Sequence, residues 1–486
     1  MPDNNTARKK GGATGIIALF LKFSIGSWFS AALSFFTTPV VTALIVPDEF
    51  GRSSMFNLAF SFCLQIVLLG ADQSFVRKFY DKDYEHRRGQ LLQNCLLPAL
   101  GIGLIVSLLT LIFWRRISFL LIQKEEFEIC LLLSITVLVG ILERYAVLVV
   151  RMYKKGLLFS MLRVIGSILT FLVLVLYCHY VNHTMYAILY SIMIPLSVTA
   201  IIAILIERKL WFKGLGIDKA TVRSVIRYGI PFIPTFVAYW VFEGIDKIAL
   251  RNYSTFHEIG LFAAASKIVA LLSILQISFS TFWAPVAYEA YEKQSDESKA
   301  VFRKTFSYLS VTLFVAGLLV AAGRDVIMLF FAHSYNEAGQ IMPFLLLIPI
   351  MYTMSEITVG GINFKNQTHW HFTITIIVAL ANITGNFFLV PALGAKGAAI
   401  STGLSYILFF YCRTYFSHRL FPVGFGMKRV TLSIVVFVIN AYVHSFYGFG
   451  WWNAGVTAFC VLLLLYLYRQ ELRLLYDTTI GKLKFA

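Results

Sequence analysis

Charged side chains interrupt long apolar stretches of this 486-residue chain, and chemistry is to be sought among them. Lys22, Glu143, Arg144, Arg163, Glu243, Asp246, Lys247, Lys267, Arg324, Asp325 and Glu356 all fall within such stretches or at their edges. A charge near the centre of a bilayer costs about 2.5–3.5 kcal/mol even on a lenient insertion scale, so each must face protein or water. The densest group is Glu243-Gly244-Ile245-Asp246-Lys247, in which Glu243 shares a helix face with Asp246 or Lys247. Two readings stay open for it: a self-neutralising pair packed against other helices, or a charged wall of a wet cavity.

Arg163 and Lys267 lack an obvious acidic partner nearby. Such cations suit an anionic solute, because a desolvated phosphate needs donors and positive charge. Glu143 and Glu356 offer the complementary chemistry, since a carboxyl held in low dielectric can bind and release a proton. With Glu243 and Asp246 they form the candidate ion-coupling set. For Glu143 the adjacent Arg144 supplies a plainer alternative, a local ion pair. Arg324-Asp325 lies near the outer end of a stretch, where snorkelling or a surface pair accounts for it, and Lys22 could snorkel likewise.

The elements that position these groups follow from composition. Hydrophobic residues make up 58% of the chain and charged residues only 14%, whereas soluble domains carry about 25% charged residues. The apolar residues run in blocks such as Leu96–Trp114, Ile374–Leu393 and Val430–Val443. About 20 such residues cross the hydrocarbon core as a helix. The chain therefore reads as an all-α polytopic membrane protein with about fourteen transmembrane helices. The spans are expected near 16–44, 53–70, 91–114, 129–150, 157–177, 185–206, 229–250, 259–287, 305–331, 338–360, 371–392, 398–416, 430–446 and 451–468. Nine of the twelve prolines lie within them and would kink helices.

An even number of spans puts both termini on one side. The loops and tails on that side hold 29 of the 42 Lys and Arg residues, against 6 in the opposite loops. Lys- and Arg-rich short loops stay in the cytoplasm, so both ends are expected there. The net charge of +17 is then mainly topological and does not indicate a nucleic-acid partner. The N-terminus does not read as a cleavable signal peptide, because the first apolar stretch is too long. The six cysteines show neither CxxC nor His-paired spacing and read as structural thiols.

Glu49-Phe50-Gly51 and Glu258-Ile259-Gly260 each open a helix after an odd-numbered span, and Lys154 and Lys365 follow spans 4 and 10. Both echoes recur after about 210 residues. The expected organisation is an N-terminal lobe at 1–210, a C-terminal lobe at 211–420 and an added helix pair with a tail at 421–486, the lobes enclosing a central cavity.

The chain reads Phe23-Ser24-Ile25-Gly26-Ser27-Trp28, then Pro47-Asp48-Glu49-Phe50-Gly51 and Leu69-Gly70-Ala71-Asp72-Gln73-Ser74-Phe75-Val76-Arg77. Further on come Ile245-Asp246-Lys247-Ile248 and Gly260-Leu261-Phe262-Ala263-Ala264-Ala265-Ser266-Lys267. Taken in order, over about residues 20–420, these resemble the polysaccharide-transporter branch of the multidrug/oligosaccharidyl-lipid/polysaccharide exporter superfamily, and within it the Wzx-type O-antigen flippases. The resemblance implies two six-helix lobes around a cationic cavity and a substrate of undecaprenyl-diphosphate-linked sugars. These would move from the cytoplasmic to the periplasmic leaflet of a bacterial inner membrane. Arg77 would lie at the cytoplasmic mouth, and Lys22, Arg163, Lys247 and Lys267 would complete the substrate-binding set. The expected partners are polyprenyl-diphosphate-linked oligosaccharide and membrane lipids, together with a polysaccharide polymerase and a chain-length regulator. No cofactor is expected beyond coupling to an H+ or Na+ gradient. Many Wzx-type members have twelve spans, so the extra pair leaves open which polymer precursor is handled.

Two alternatives are a cation-coupled drug exporter of the same superfamily and a membrane glycosyltransferase or O-antigen polymerase. An enzyme is disfavoured because the external loops are short and no catalytic His, Asp or Glu constellation stands out. His179 and His183 have metal-ligand spacing but read better as two surface histidines. No Gly-x-x-x-x-Gly-Lys-Ser/Thr motif is present, which argues against direct ATP drive.

Overall fold

A computed structural model of the chain describes residues 26–473, apart from 27, 31, 213–215, 294–295 and 449, and every described element is a helix. There are two compact units, one ending at Trp240 and one beginning at Val241. The first contains α1 (Trp28–Leu44), α2 (Pro47–Leu68), α3 (Ala71–Lys78), α4 (Arg88–Ile112), α5 (Trp114–Ile122), α6 (Phe127–Met152), α7 (Gly156–Tyr180), α8 (Met185–Ile206), α9 (Arg208–Phe212) and α10 (Lys219–Gly229). The boundary falls within α11 (Ile233–Tyr253). The second unit continues with α12 (Phe256–Glu292), α13 (Asp296–Ala322), α14 (Arg324–Met328), α15 (Ala338–Leu345), α16 (Leu347–Thr358), α17 (Gly360–Phe364), α18 (His369–Leu420), α19 (Met427–Phe446) and α20 (Trp451–Leu467).

Among the described residues, eight helices are long and apolar enough to cross a membrane, or nine if the bent pair α2–α3 counts as one span. The 52-residue α18 breaks at Gly394, where φ is 55° and ψ −133°. Only glycine adopts that backbone readily, and the break separates the expected spans 371–392 and 398–416. Most of the first expected span, 16–25 with Lys22, lies outside the described residues.

Packing follows the rules of lipid rather than of water. Leu104, Ile105, Leu108 and Ile112 of α4 are exposed, as are Leu462 and Tyr466 of α20. Lipid tails are as apolar as these side chains, so helices associate through close packing and hydrogen bonds. Tyr145 of α6 donates to the Cys95 carbonyl of α4 at 3.0 Å. Thr414 of α18 donates to the Thr358 hydroxyl of α16 at 2.8 Å. The six cysteines are unbonded, as their spacing suggests.

The internal echo has a structural counterpart in each unit. Glu49, in the first turn of α2, accepts from the Met185 N–H at the start of α8 at 2.9 Å. Glu258, in the first turn of α12, accepts from the Ala395 N–H just past the α18 break at 2.7 Å. In both cases a carboxylate satisfies a free donor at a helix start. The second echo shifts by one residue. The left-handed residues after the fourth and tenth spans are Lys154 and Asn366, so Asn366 rather than Lys365 matches Lys154.

The bend of 53° between α2 and α3 is made by Leu69 and Gly70, both with positive φ. A Cβ on Gly70 would lie 2.7 Å from the Gly229 carbonyl oxygen at the end of α10. Gly70→Ala should therefore lower the melting temperature of the detergent-solubilised protein. The left-handed backbone alone costs about 1–2 kcal/mol for a residue with a Cβ, before any displacement of α10. An unchanged melting temperature would show that α10 does not dock at this bend.

Candidate functional site

A cavity of about 330 Å³ opens in the first unit, lined by Phe60, Glu143, Arg163, Ser167, Ser191 and Thr199 among others. Helical geometry explains how α6 supplies its acid. Successive residues point about 100° apart, so Glu143 reaches the cavity while its neighbour Arg144 turns toward α3. There Arg144 donates twice to one oxygen of buried Asp72, at 2.6 and 3.1 Å. The local Glu143–Arg144 pair expected as the plainer alternative is not formed, because Asp72 takes the arginine. Arg163, on α7, is exposed to the cavity and lies over the Phe159 ring, 5.4 Å from its centroid. Glu143 and Arg163 thus line one mostly apolar cavity that also includes serine and threonine residues, and among the described residues no ion pair closes between them.

In the second unit Asp246 of α11 is only 5% exposed. Its two oxygens accept from Asn386 Nδ2 and Thr402 Oγ1, each at 2.7 Å. Asn386 also donates to Asn382 Oδ1 at 2.7 Å, and Ser401 donates to the same oxygen at 2.7 Å. The break at Gly394 brings Ser401 and Thr402 back beside Asn382 and Asn386, so both segments of α18 contribute. Among the described residues Asn386 Oδ1 has no hydrogen-bond partner, and Asn382 Nδ2 lies by the Asp246 carboxylate without a well-formed bond. A cluster of oxygens with one carboxylate and an orphaned amide oxygen has the ligand chemistry of a site for a small hard cation. Among the described residues no group of three His, Cys, Asp or Glu residues is placed to hold a metal.

Glu356 of α16 is paired instead. Arg413 of α18 donates to it at 2.8 Å and to Ser355 at 2.9 Å. The guanidinium also lies over Phe409 and Tyr352, 4.7 and 5.4 Å from the ring centroids. Sequence reasoning missed Arg413 although the signal was present, an arginine near the end of an apolar stretch. Arg413→Ala would strand a mostly buried carboxylate, and breaking such a pair costs about 3–5 kcal/mol when fully buried. A marked drop in melting temperature is expected, largely restored in the Arg413→Met, Glu356→Gln double variant. Equal damage in single and double variants would mean that Arg413 acts through its ring contacts.

The other predicted residues are dispersed. Arg77 ends α3 at the surface and pairs with Asp81 at 3.7 Å. Lys247 is half-buried on α11 next to Asp246, and Lys267 is exposed on α12. Glu243 belongs to α11, but its side chain lies outside what is described, as does Lys22. Arg324 departs from expectation. It is 1% exposed rather than at a surface, donating to the Tyr447 carbonyl at 3.0 Å and to Asp325 at 3.3 Å. Its carbonyl partner Tyr447 caps the end of α19, a long-range contact that no local pattern announced. His183 uses Nδ1 to contact the Leu44 carbonyl at 2.9 Å.

The fold is that of a multi-pass helical membrane protein with polar and charged sites inside its units. The family described as "Polysaccharide biosynthesis protein" matches residues 20–291, and the chain belongs to it. Among curated proteins it is 22% identical over 233 residues to an uncharacterized membrane protein, MJ1068, of Methanocaldococcus jannaschii. That match covers 46% of this chain and 45% of the relative, so the chain spans about half the length of the curated relative it matches. Its fold is similar to that of the lipid II flippase MurJ in an inward closed conformation, with a TM-score of 0.68, 18% identity, and coverage of 94% of this chain and 99% of the other. It is also similar to an inward-facing multidrug resistance MATE family transporter of the MOP superfamily. There the TM-score is 0.60 and the identity 12%, over 83% of this chain and 96% of the other.

Proposed function

We propose that the chain is a flippase that moves undecaprenyl-diphosphate-linked oligosaccharide from the cytoplasmic to the periplasmic leaflet of a bacterial inner membrane. The cargo is an O-antigen or other surface-polysaccharide repeat unit. The chain crosses about fourteen times with both termini cytoplasmic and works by alternating access. The supporting observation is Arg163, a cation lining a mostly apolar cavity between the long apolar helices of the first unit. Diphosphate and sugars cannot enter hydrocarbon, but the polyprenyl tail can remain there, and a desolvated diphosphate needs positive donors. Lys247 and Lys267 supply further positive charge from the second unit, and Arg77 meets the cargo at the cytoplasmic surface.

Ion coupling belongs to the same proposal. The Asp246 cluster is the seat of a Na+ or H+, and Glu143 is a second candidate because it faces the cavity without an ion pair. Glu356 is the weaker candidate, since Arg413 holds it, and Glu243 stays in the set by its place on α11. The polymerase and chain-length regulator of the assembly pathway are the proposed protein partners.

The deciding experiment is deletion of the gene in its host, with measurement of surface polymer and of polyprenyl-diphosphate sugars in the cytoplasmic leaflet. Loss of polymer with accumulation of a complete lipid-linked unit is expected. Normal polymer without a stalled intermediate, after redundant flippases are removed, would overturn the reading. Glu143 in the cavity favours the second reading, a cation-coupled drug exporter, which that outcome would leave standing.

A further inference from the structure

A second cavity, of about 140 Å³, lies within the second unit, lined by Arg303, Ser307, Phe425, Gly426, Arg429 and Tyr468 among others. It is enclosed by α13, the linker between α18 and α19, the first turn of α19 and the residue that ends α20. The linker is drawn inward by Phe425, which is 9% exposed and packs on the Phe306 ring with centroids 5.0 Å apart. On either side of Phe425, a Cβ on Gly424 or Gly426 would have no atom within 4 Å, so the mouth is open.

The charges around this space are unbalanced. Arg303 makes no hydrogen bond or ion pair among the described residues, although it lines the cavity. Arg429 is paired with Glu471 at 2.7 Å, which leaves two guanidiniums against one carboxylate. Ser307 and buried Tyr468 also line the space, and the Tyr468 hydroxyl accepts from Ser433 at 3.4 Å. At the mouth, Gly426 caps α19 without a side chain; the Arg429 N–H bonds the Gly426 carbonyl at 3.0 Å, and the Met427 and Lys428 N–H groups precede it in the first turn. Arginine's planar fork matches phosphate oxygens and is weakly hydrated, which suits a partly enclosed anion site. The volume admits a phosphate and its ester linkage but not a chain of sugars. Lys299, Lys304, Arg419 and Lys428 occur in the flanking sequence, and by the basic-loop distribution this end faces the cytoplasm, where anionic lipid headgroups lie.

We propose that this cavity is a phosphate-binding site, with Arg303 and Arg429 holding the phosphate and Ser307 and Tyr468 among the residues that line it. Two sources carry that chemistry: the headgroup of an anionic membrane lipid, and phosphate free in the cytoplasm. None of these residues takes part in the proposed handling of the sugar cargo, so the site stands or falls independently of it.

The test uses the full chain in nanodiscs of phosphatidylcholine, with or without phosphatidylglycerol, and with or without inorganic phosphate. Melting temperature and bound lipid by native mass spectrometry are read. Phosphatidylglycerol should raise the melting temperature and stay bound. Arg303→Gln should weaken that binding about tenfold, the loss expected for a charge-assisted contact, and Arg303→Lys should weaken it less. Lys304→Gln, outside the cavity lining, should leave it unchanged. An Arg303-dependent rise with inorganic phosphate in pure phosphatidylcholine would assign the site to soluble phosphate instead. Stabilisation that is absent, or equal in the parent protein and Arg303→Gln for both probes, would overturn the proposal.

Discussion

Arg163→Ala should stop export of the lipid-linked unit while leaving the chain folded and inserted. Arg163 is exposed to its cavity and lies over the Phe159 ring. Among the described residues it closes no ion pair, but the Glu143 carboxyl that shares the cavity loses a neighbouring positive charge, so a modest loss of stability is expected. The functional loss is of a different order. Removing one partner of a buried, hydrogen-bonded charge pair costs about 2–5 kcal/mol, which is roughly thirtyfold or more in affinity. Surface polymer should fall to the level of the deletion strain, with normal protein abundance in the membrane. Arg163→Lys should recover part of the activity, because the charge returns without the planar fork. The triple variant with Lys247→Ala and Lys267→Ala should abolish transport altogether. Full transport by that triple variant would remove these residues from the cargo site.

Asp246→Asn should separate transport from its ion gradient. The substitution keeps the size of the side chain and can still meet Asn386 and Thr402, so the packing of α11 against both segments of α18 should survive. It removes the one carboxylate of the cluster, and with it the charge that would hold a small cation. Flipping assayed in proteoliposomes should lose its dependence on an imposed Na+ or proton gradient, and which gradient mattered in the parent protein identifies the ion. Asp246→Ala should be worse for the fold. It leaves the Asn386 amide and the Thr402 hydroxyl without their carboxylate partner in a buried site, at about 1–3 kcal/mol for each group left unsatisfied. An Asp246→Asn protein that still responds to both gradients would place coupling elsewhere, with Glu143 next to be tested.

The candidate site was partly legible. Arg163, Asp246 and Glu143 declared themselves because charge inside an apolar stretch is costly and so needs a reason. Their partners were less visible. Arg144 was read as a mate for Glu143 because they are neighbours in sequence, yet adjacent helical residues diverge, and Arg144 reaches Asp72 from another helix. Arg413, passed over, captures Glu356. Asn382, Asn386, Ser401 and Thr402 gave no signal, since uncharged polar residues are ordinary in membrane helices and their convergence depends on a break at one glycine.

The sequence by itself determined that the chain is an all-helical membrane protein, and it carries the loop-charge asymmetry and the internal echoes from which orientation and a repeat are expected. These properties depend on composition, block length and loop charge, each readable from residues in order. The tertiary structure alone decided which charges meet. It gave Asp72 to Arg144 and Glu356 to Arg413, left Glu143 and Arg163 in one cavity, and buried Asp246 among amides and hydroxyls. Such pairings join helices distant in sequence, and rotating a helix by one residue moves a side chain about 100°. No local pattern carries that information.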